Sequence, residues 1–257
     1  MSNENTSIHD FDFSLICEFF SKIERQGPGS PATTLKALSF IDNLTDESNI
    51  LDIGCGTGGQ TLIIAQNAPG KIKGLDLFPT LIDIFNANVK KHNLQDRLEG
   101  IVGSMEELLF SEEEFDLIWS EGAIYNIGFE RGMKEWNKFL KKGGYIAVTE
   151  ASWFTEERPE EINSYWQAAY PEIDTISNKM DQLQKAGYVP VASFILSENC
   201  WIENYYVPQS KVQDDFLKKH AGNETAEGLI SELRHEVEMY NKYKEFYGYV
   251  FYIGRKI

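Results

Sequence analysis

The run from Asn49 to Gly59, NILDIGCGTGG, sets a carboxylate, Asp52, two residues ahead of a glycine cluster. The spacing satisfies G-x-G-x-x-G at Gly54, Gly56 and Gly59, as a dinucleotide site would. It also satisfies the tighter G-x-G-x-G at Gly54, Gly56 and Gly58. Glycine tolerates positive φ and carries no Cβ, so such a turn lets backbone approach a ligand. The turn marks a cofactor site without naming the cofactor; Asp52 discriminates. A pyrophosphate at the following helix N-terminus would be repelled by an adjacent carboxylate, by about 4 kcal/mol for charges about 4 Å apart at an effective dielectric near 20. A cationic or zwitterionic ligand reverses that sign. The local alternative is that Asp52 only accepts backbone N–H bonds from the turn. Asp76 follows about 24 residues later, near the spacing of a ribose-binding acid. Its local alternative is to cap the helix that Pro79 opens. Together the two acids suit an adenosine-type ligand with a free ribose and no pyrophosphate.

The elements that must hold these residues alternate. Asn49 to Ile53, Lys71 to Leu77, Arg97 to Gly103, Phe115 to Ser120 and Tyr145 to Glu150 read as short apolar strands. Between them, Leu62 to Gln66 lies in a helix, Pro79 to His92 is a helix with proline at its first position, and Phe129 to Leu140 is a helix ended by Gly143 and Gly144. Strand and helix in alternation imply a parallel sheet covered on both faces, and near-continuous apolar strands agree. Upstream, Phe11 to Arg25 and Thr33 to Asn43 read as helices around a breaker cluster, Gln26 to Pro31. Downstream, Thr175 to Ala186, Ser210 to His220 and Ala226 to Tyr243 read as helices, and Tyr188 to Leu196 and Tyr247 to Gly254 as strands. Pro190 favours an edge or strand-start position for the first of these.

Composition bounds the rest. The 257 residues suit one elaborated domain, and a 42% hydrophobic content supports a core. A net charge of −16 disfavours nucleic acid and anionic membrane surfaces as partners. Three separated cysteines (Cys17, Cys55, Cys200) suggest a reducing compartment without disulfides or zinc. With neither a signal-peptide pattern nor an 18-residue apolar run, a cytoplasmic protein is expected. His9, His92, His220 and His235 lack metal-ligand spacing, so no metal is expected.

With ILDIGCGTG, GLD at Gly74 to Asp76, GSMEELLF at Gly103 to Phe110, FDLIWSEGAIYNI at Phe115 to Ile127 and LKKGGYIAVTE at Leu140 to Glu150, the chain resembles the class I S-adenosylmethionine-dependent methyltransferases, in particular the small-molecule branch related to quinone-biosynthesis methyltransferases. The resemblance spans roughly residues 45–150, with the last two strands resembling the family's closing antiparallel pair. It implies an α/β, doubly wound, mostly parallel seven-stranded Rossmann-like sheet with an antiparallel final strand and helical substrate-binding additions. An N-terminal helical cap or lid (1–44), a cofactor-binding core (45–151) and a C-terminal part with substrate-binding insertions (152–257) are expected. The resemblance further implies that Gly54, Gly56 and Gly58 line the methionine portion of S-adenosylmethionine, that Asp52 faces its amino end, and that Asp76 holds the ribose with Leu77 beside the adenine. Ser104 and Met105 fall at the adenine contacts, where the family often has Asp in place of Ser104. Ser120 and Glu121 are expected to close the pocket near the sulfonium.

Methyl transfer needs alignment and exclusion of water more than functional groups. Where the acceptor requires a base, Glu121, Tyr125 and His220 are the candidates, in that order. Trp153, Trp166, Tyr170, Trp201, Tyr205 and Tyr206 could line a pocket for a flat or apolar small molecule, form the lobe's own core, or serve a homodimer surface. Gln26 to Ser30 is expected to be a mobile lid. The absence of N-P-P-Y after the fourth strand argues against DNA amino groups as substrate. The rival readings are a non-catalytic protein that kept the cofactor fold, and a nicotinamide-dependent oxidoreductase.

Overall fold

The computed structural model describes residues 13–257. The polar start, His9 and the first residues of the expected opening helix lie outside that range. Within it run α1 (Phe13–Phe20), α2 (Pro31–Leu38), β1 (Asn49–Ile53), α3 (Gly59–Asn67), β2 (Lys71–Asp76), α4 (Pro79–Lys91), β3 (Leu98–Val102), β4 (Phe115–Ser120), α5 (Phe129–Trp136), β5 (Leu140–Trp153), α6 (Glu160–Ala169), β6 (Asp174–Thr175), α7 (Ile176–Lys185), β7 (Tyr188–Ile195), α8 (Glu198–Trp201), α9 (Val207–Lys219), α10 (Glu224–Tyr243) and β8 (Tyr247–Lys256).

The strands order as β3-β2-β1-β4-β5-β8-β7, with β8 antiparallel to both neighbours and β1 to β5 mutually parallel where they pair. This is the expected doubly wound sheet, plus one strand the sequence did not signal: two-residue β6, which extends the far end of β5. Alternation along β1 explains the layering. Ile50 joins a core cluster with Ile64, Ile82 and Phe85 under α3 and α4, whereas Leu51 and Ile53 join Phe129, Met133 and Trp136 under α5. The chain leaves β1 for β2 and β3, then returns to β4 on its other side, so the β1/β4 boundary is the switch point where open α/β sheets hold ligands.

Several boundaries differ from the sequence reading for identifiable reasons. β5 starts at Leu140 because Gly143, at φ 81°, is absorbed as an irregularity against β4 instead of ending the preceding segment. It runs on to Trp153 because β8 pairs with it from Tyr145 to Trp153. α5 stops at Trp136 and tightens into a 3₁₀ turn at Asn137–Phe139. α2 begins at Pro31, set by a capping box between Ser30 and Thr33. Edge strand β7 admits Pro190 at a register shift. Between α8 and α9 a π-helical turn, Ile202–Tyr206, widens the coil.

A third cluster joins the two ends of the chain: Leu15 and Phe19 of α1 pack with Phe216 of α9 and with Ala226, Ile230 and Leu233 of α10. Among the described residues no helix is long and apolar enough to cross a membrane.

Candidate cofactor and acceptor site

The turn after β1 is tied to β2 by Gly54 N and Cys55 N, which donate to Leu75 O at 2.8 and 3.1 Å. Gly54 sits at φ 73°, and a Cβ there would lie 2.3 Å from Ala123 Cβ, so the residue must be glycine. Asp52, on the α3 side of β1, is fully buried. Its Oδ2 accepts from Thr61 Oγ1 at 2.5 Å and Gln60 Nε2 at 3.1 Å, both in the first turn of α3. Its Oδ1 is buried without a partner. Burial pushes its carboxyl up to about 7, the Thr61 and Gln60 bonds only partly opposing it and the charge of Glu121 adding to it.

Asp76 closes β2. Its Oδ2 accepts from Gly56 N at 2.9 Å and its Oδ1 from Phe78 N at 3.1 Å, so it clamps the glycine turn to the β2–α4 link. Burial raises its carboxyl above the ordinary range against these backbone bonds. Beside it Leu77 is 57% exposed and Val102, at the end of β3, 54% exposed, two bare apolar side chains at adjoining strand ends. Ser104 Oγ accepts from Glu106 N at 3.2 Å, and the Met105 carbonyl accepts from Trp136 Nε1 at 3.1 Å.

At the end of β4 both expected pocket residues are engaged internally. Ser120 is fully buried and donates to Ile53 O at 2.8 Å, tying β4 to β1 across the switch point. Glu121 accepts from Arg25 Nη1 at 3.0 Å, from Thr34 Oγ1 at 2.7 Å and from Trp119 Nε1 at 3.0 Å. The loop after α1 is docked as well as short: Gln26 Oε1 accepts from Thr57 N at 3.1 Å, and Gly29 N donates to Cys200 O. Gly27 meets Gly122 so closely that a Cβ on Gly27 would lie 3.4 Å from Gly122 Cα.

Tyr125 lies in the 3₁₀ turn after β4 and contacts Tyr170 edge-on at 6.0 Å. Tyr125 is 42% exposed, and desolvation raises its phenol. Tyr249 of β8 packs against Gly122. His220 is elsewhere: it caps the end of α9, 3.1 Å from Glu18 of α1 and against the Phe216 ring. Trp153, Trp166, Trp201, Tyr205 and Tyr206 all join the aromatic core between β5, β8 and the insertion helices.

Sequence reasoning missed Arg25, Gln60, Thr61 and Tyr249. Gln60 and Thr61 had a local signal, since a strand-end acid faces the first turn of the next helix. Arg25 had none, being 96 residues from its partner.

The residues fit a zwitterionic adenosine-type cofactor. An unmet buried carboxylate oxygen lies beside the glycine turn, a second carboxylate ends β2, and apolar side chains flank it. No group of three or more metal-ligating side chains occurs among the described residues.

Residues 51–148 match the family described as Methyltransferase domain. Phosphoethanolamine N-methyltransferase from Plasmodium falciparum is 28% identical over 202 residues, 74% of this chain and 72% of that protein. Demethylmenaquinone methyltransferase from Bacillus velezensis is 30% identical over 44% of this chain, which there spans about half (49%) of the relative's length. A S-adenosylmethionine-dependent methyltransferase from Geobacter sulfurreducens, solved with S-adenosylhomocysteine, superposes with a TM-score of 0.82 at 16% identity over 95% of this chain and 98% of that one, a likeness of fold. Residues 51–148 of this sheet thus match a methyltransferase domain, and the chain as a whole is similar in sequence and fold to S-adenosylmethionine-dependent methyltransferases.

Proposed function

We propose that the protein transfers a methyl group from S-adenosylmethionine to a small molecule seated between the switch point and the aromatic insertion. Bound here, the cofactor supplies an electrophilic methyl on a sulfonium whose thioether leaving group is neutral. The chain's own work is to hold, orient and exclude water. Asp76 keeps lone pairs free beyond its two backbone bonds, which supports a contact to the ribose hydroxyls. Asp52 Oδ1 is an acceptor suited to the amino end, and Gly54, Gly56 and Gly58 allow close approach. Leu77 and Val102 offer apolar faces for the adenine, with Ser104 and Met105 beside them.

Of the three candidate bases, Tyr125 is the one whose position supports contact with an acceptor. Glu121 spends its carboxylate on Arg25, Thr34 and Trp119, so its role in this reading is to hold the N-terminal loop against β4. His220 bonds to Glu18 and is left out. Tyr249 and Tyr170, which adjoin Gly122 and Tyr125, are added to the acceptor side. The insertion's aromatic rings turn inward onto one another, which supports the lobe's own core in preference to a dimer surface, with Tyr249 at its edge toward the acceptor. The three buried, unpaired cysteines suit a reducing cytoplasm.

The observation that carries the reading is the pair of strand-end acids around one glycine turn. Titration calorimetry with S-adenosylhomocysteine and with NADH, on wild type and Asp76→Ala, tests it. Micromolar binding of the first, none of the second, and marked weakening in the variant are expected. NADH binding without S-adenosylhomocysteine binding would revive the oxidoreductase reading. Cofactor binding without methyl transfer across a broad acceptor panel would favour a non-catalytic protein.

A further inference from the structure

Glu236 projects from α10 into the aromatic insertion, where Tyr206 donates to its Oε1 at 3.0 Å. No Lys, Arg or His among the described residues lies within ion-pair reach of it, unlike the two acids nearest in role. Glu121 has Arg25 at 3.0 Å and Glu150 has Lys179 at 3.0 Å. Its hydrogen-bonding partner is Tyr206, and further tyrosines lie within reach of its charge. Its charge reaches Tyr125, Tyr205, Tyr206, Tyr247 and Tyr249, raising each phenol in addition to the burial that dominates there. Trp201 packs 5.0 Å from Tyr249 and 6.0 Å from Tyr206, linking this group to the Gly122 end of the cofactor site. Within the same segment, Gln209 Nε2 and Trp201 Nε1 are buried donors with no partner.

A half-exposed carboxylate held by Tyr206 alone, in a lobe that also holds unmet buried donors, is left without a counter-charge. A ligand cation resolves it: an ammonium satisfies the carboxylate and is attracted to the ring faces, while an oxygen on the same molecule can accept from the orphan donors. Resting on the methyltransferase reading above, we propose that the acceptor is a small amine carrying an oxygen function, and that Glu236 is the group that selects it. For an amine that arrives protonated, the Glu236 carboxylate takes one N–H proton and frees the lone pair. Formation of the N–C bond then breaks the C–S bond, the electron pair stays on sulfur, and the product leaves as the methylated ammonium while Glu236 returns its proton to water.

The test is binding, measured by calorimetry on the protein saturated with S-adenosylhomocysteine. Choline and its neutral isostere 3,3-dimethyl-1-butanol are the probes, on wild type and Glu236→Gln. The expected result is saturable choline binding at least tenfold tighter than the isostere. Glu236→Gln should lose that preference while S-adenosylhomocysteine affinity is unchanged, which also shows that the variant folds. Isostere binding equal to choline, no saturable choline binding, or a preference that survives Glu236→Gln would each overturn the proposal. If S-adenosylhomocysteine itself fails to bind wild type, the methyltransferase reading falls first.

Discussion

Arg25 Nη1 and Glu121 Oε2 lie 3.0 Å apart with both side chains almost wholly buried, pinning the loop after α1 to the end of β4. Removing one partner of a buried pair strands the other charge, which typically costs about 3–5 kcal/mol. Arg25→Ala should lower the urea midpoint accordingly and make the Gln26 to Ser30 loop a site of rapid proteolysis. Unaltered cleavage of that loop would show that Gln26 and Gly29 hold it without the pair.

Asp76→Ala removes the charged acceptor proposed for the ribose and two bonds from the turn. Each charge-assisted bond is worth about 1.5–3 kcal/mol, so S-adenosylhomocysteine affinity should fall at least about tenfold. Asp76→Asn, which keeps one oxygen, should lose less.

The carboxyl of Asp52 is raised by burial from 3.8 to about 7. Between those values the folded state binds a proton that the unfolded chain does not. This group's contribution to stability therefore falls as pH rises from about 4 to about 7 and is flat above, a span on the order of 4 kcal/mol. Asp52→Asn should be more stable than wild type at pH 8 and lose this slope; urea titrations from pH 5 to 8 measure it. A cationic amino group beside Asp52 favours the ionised form, so wild-type affinity for S-adenosylhomocysteine should strengthen from pH 6 to 8.

Lys179 and Glu150 form a second buried pair at 3.0 Å, with Tyr170 donating to the same Glu150 oxygen at 2.5 Å. Lys179→Met should cost about 3–5 kcal/mol. Adding Glu150→Gln should recover part of that, so a double-mutant cycle by chemical denaturation should show strong coupling. Additive losses would mean that the pair acts only through packing.

Gly54→Ala places a side chain at φ 73° and within 2.3 Å of Ala123 Cβ. The backbone cost alone is about 1–2 kcal/mol, and the clash adds to it. Both the thermal midpoint and the cofactor affinity should fall.

The amino-acid sequence by itself determined the sheet, the glycine turn and the two strand-end acids. These are local properties: apolar runs of strand length, glycines at fixed offsets and a carboxylate at the last inward position of a strand fall within a few residues of one another. Tertiary structure alone decided what Glu121 does, because its partners Arg25 and Thr34 lie 96 and 87 residues away and reach it only when the N-terminal loop docks. It also decided that His220 pairs with α1, and that Glu236, one acid among many on the amphipathic α10, bonds to Tyr206 of the insertion. Periodicity tells which face of a helix is apolar. It carries no information about which of its polar residues the packing of α10 against β8 and the insertion will turn inward, and the proposed acceptor chemistry depends on that packing.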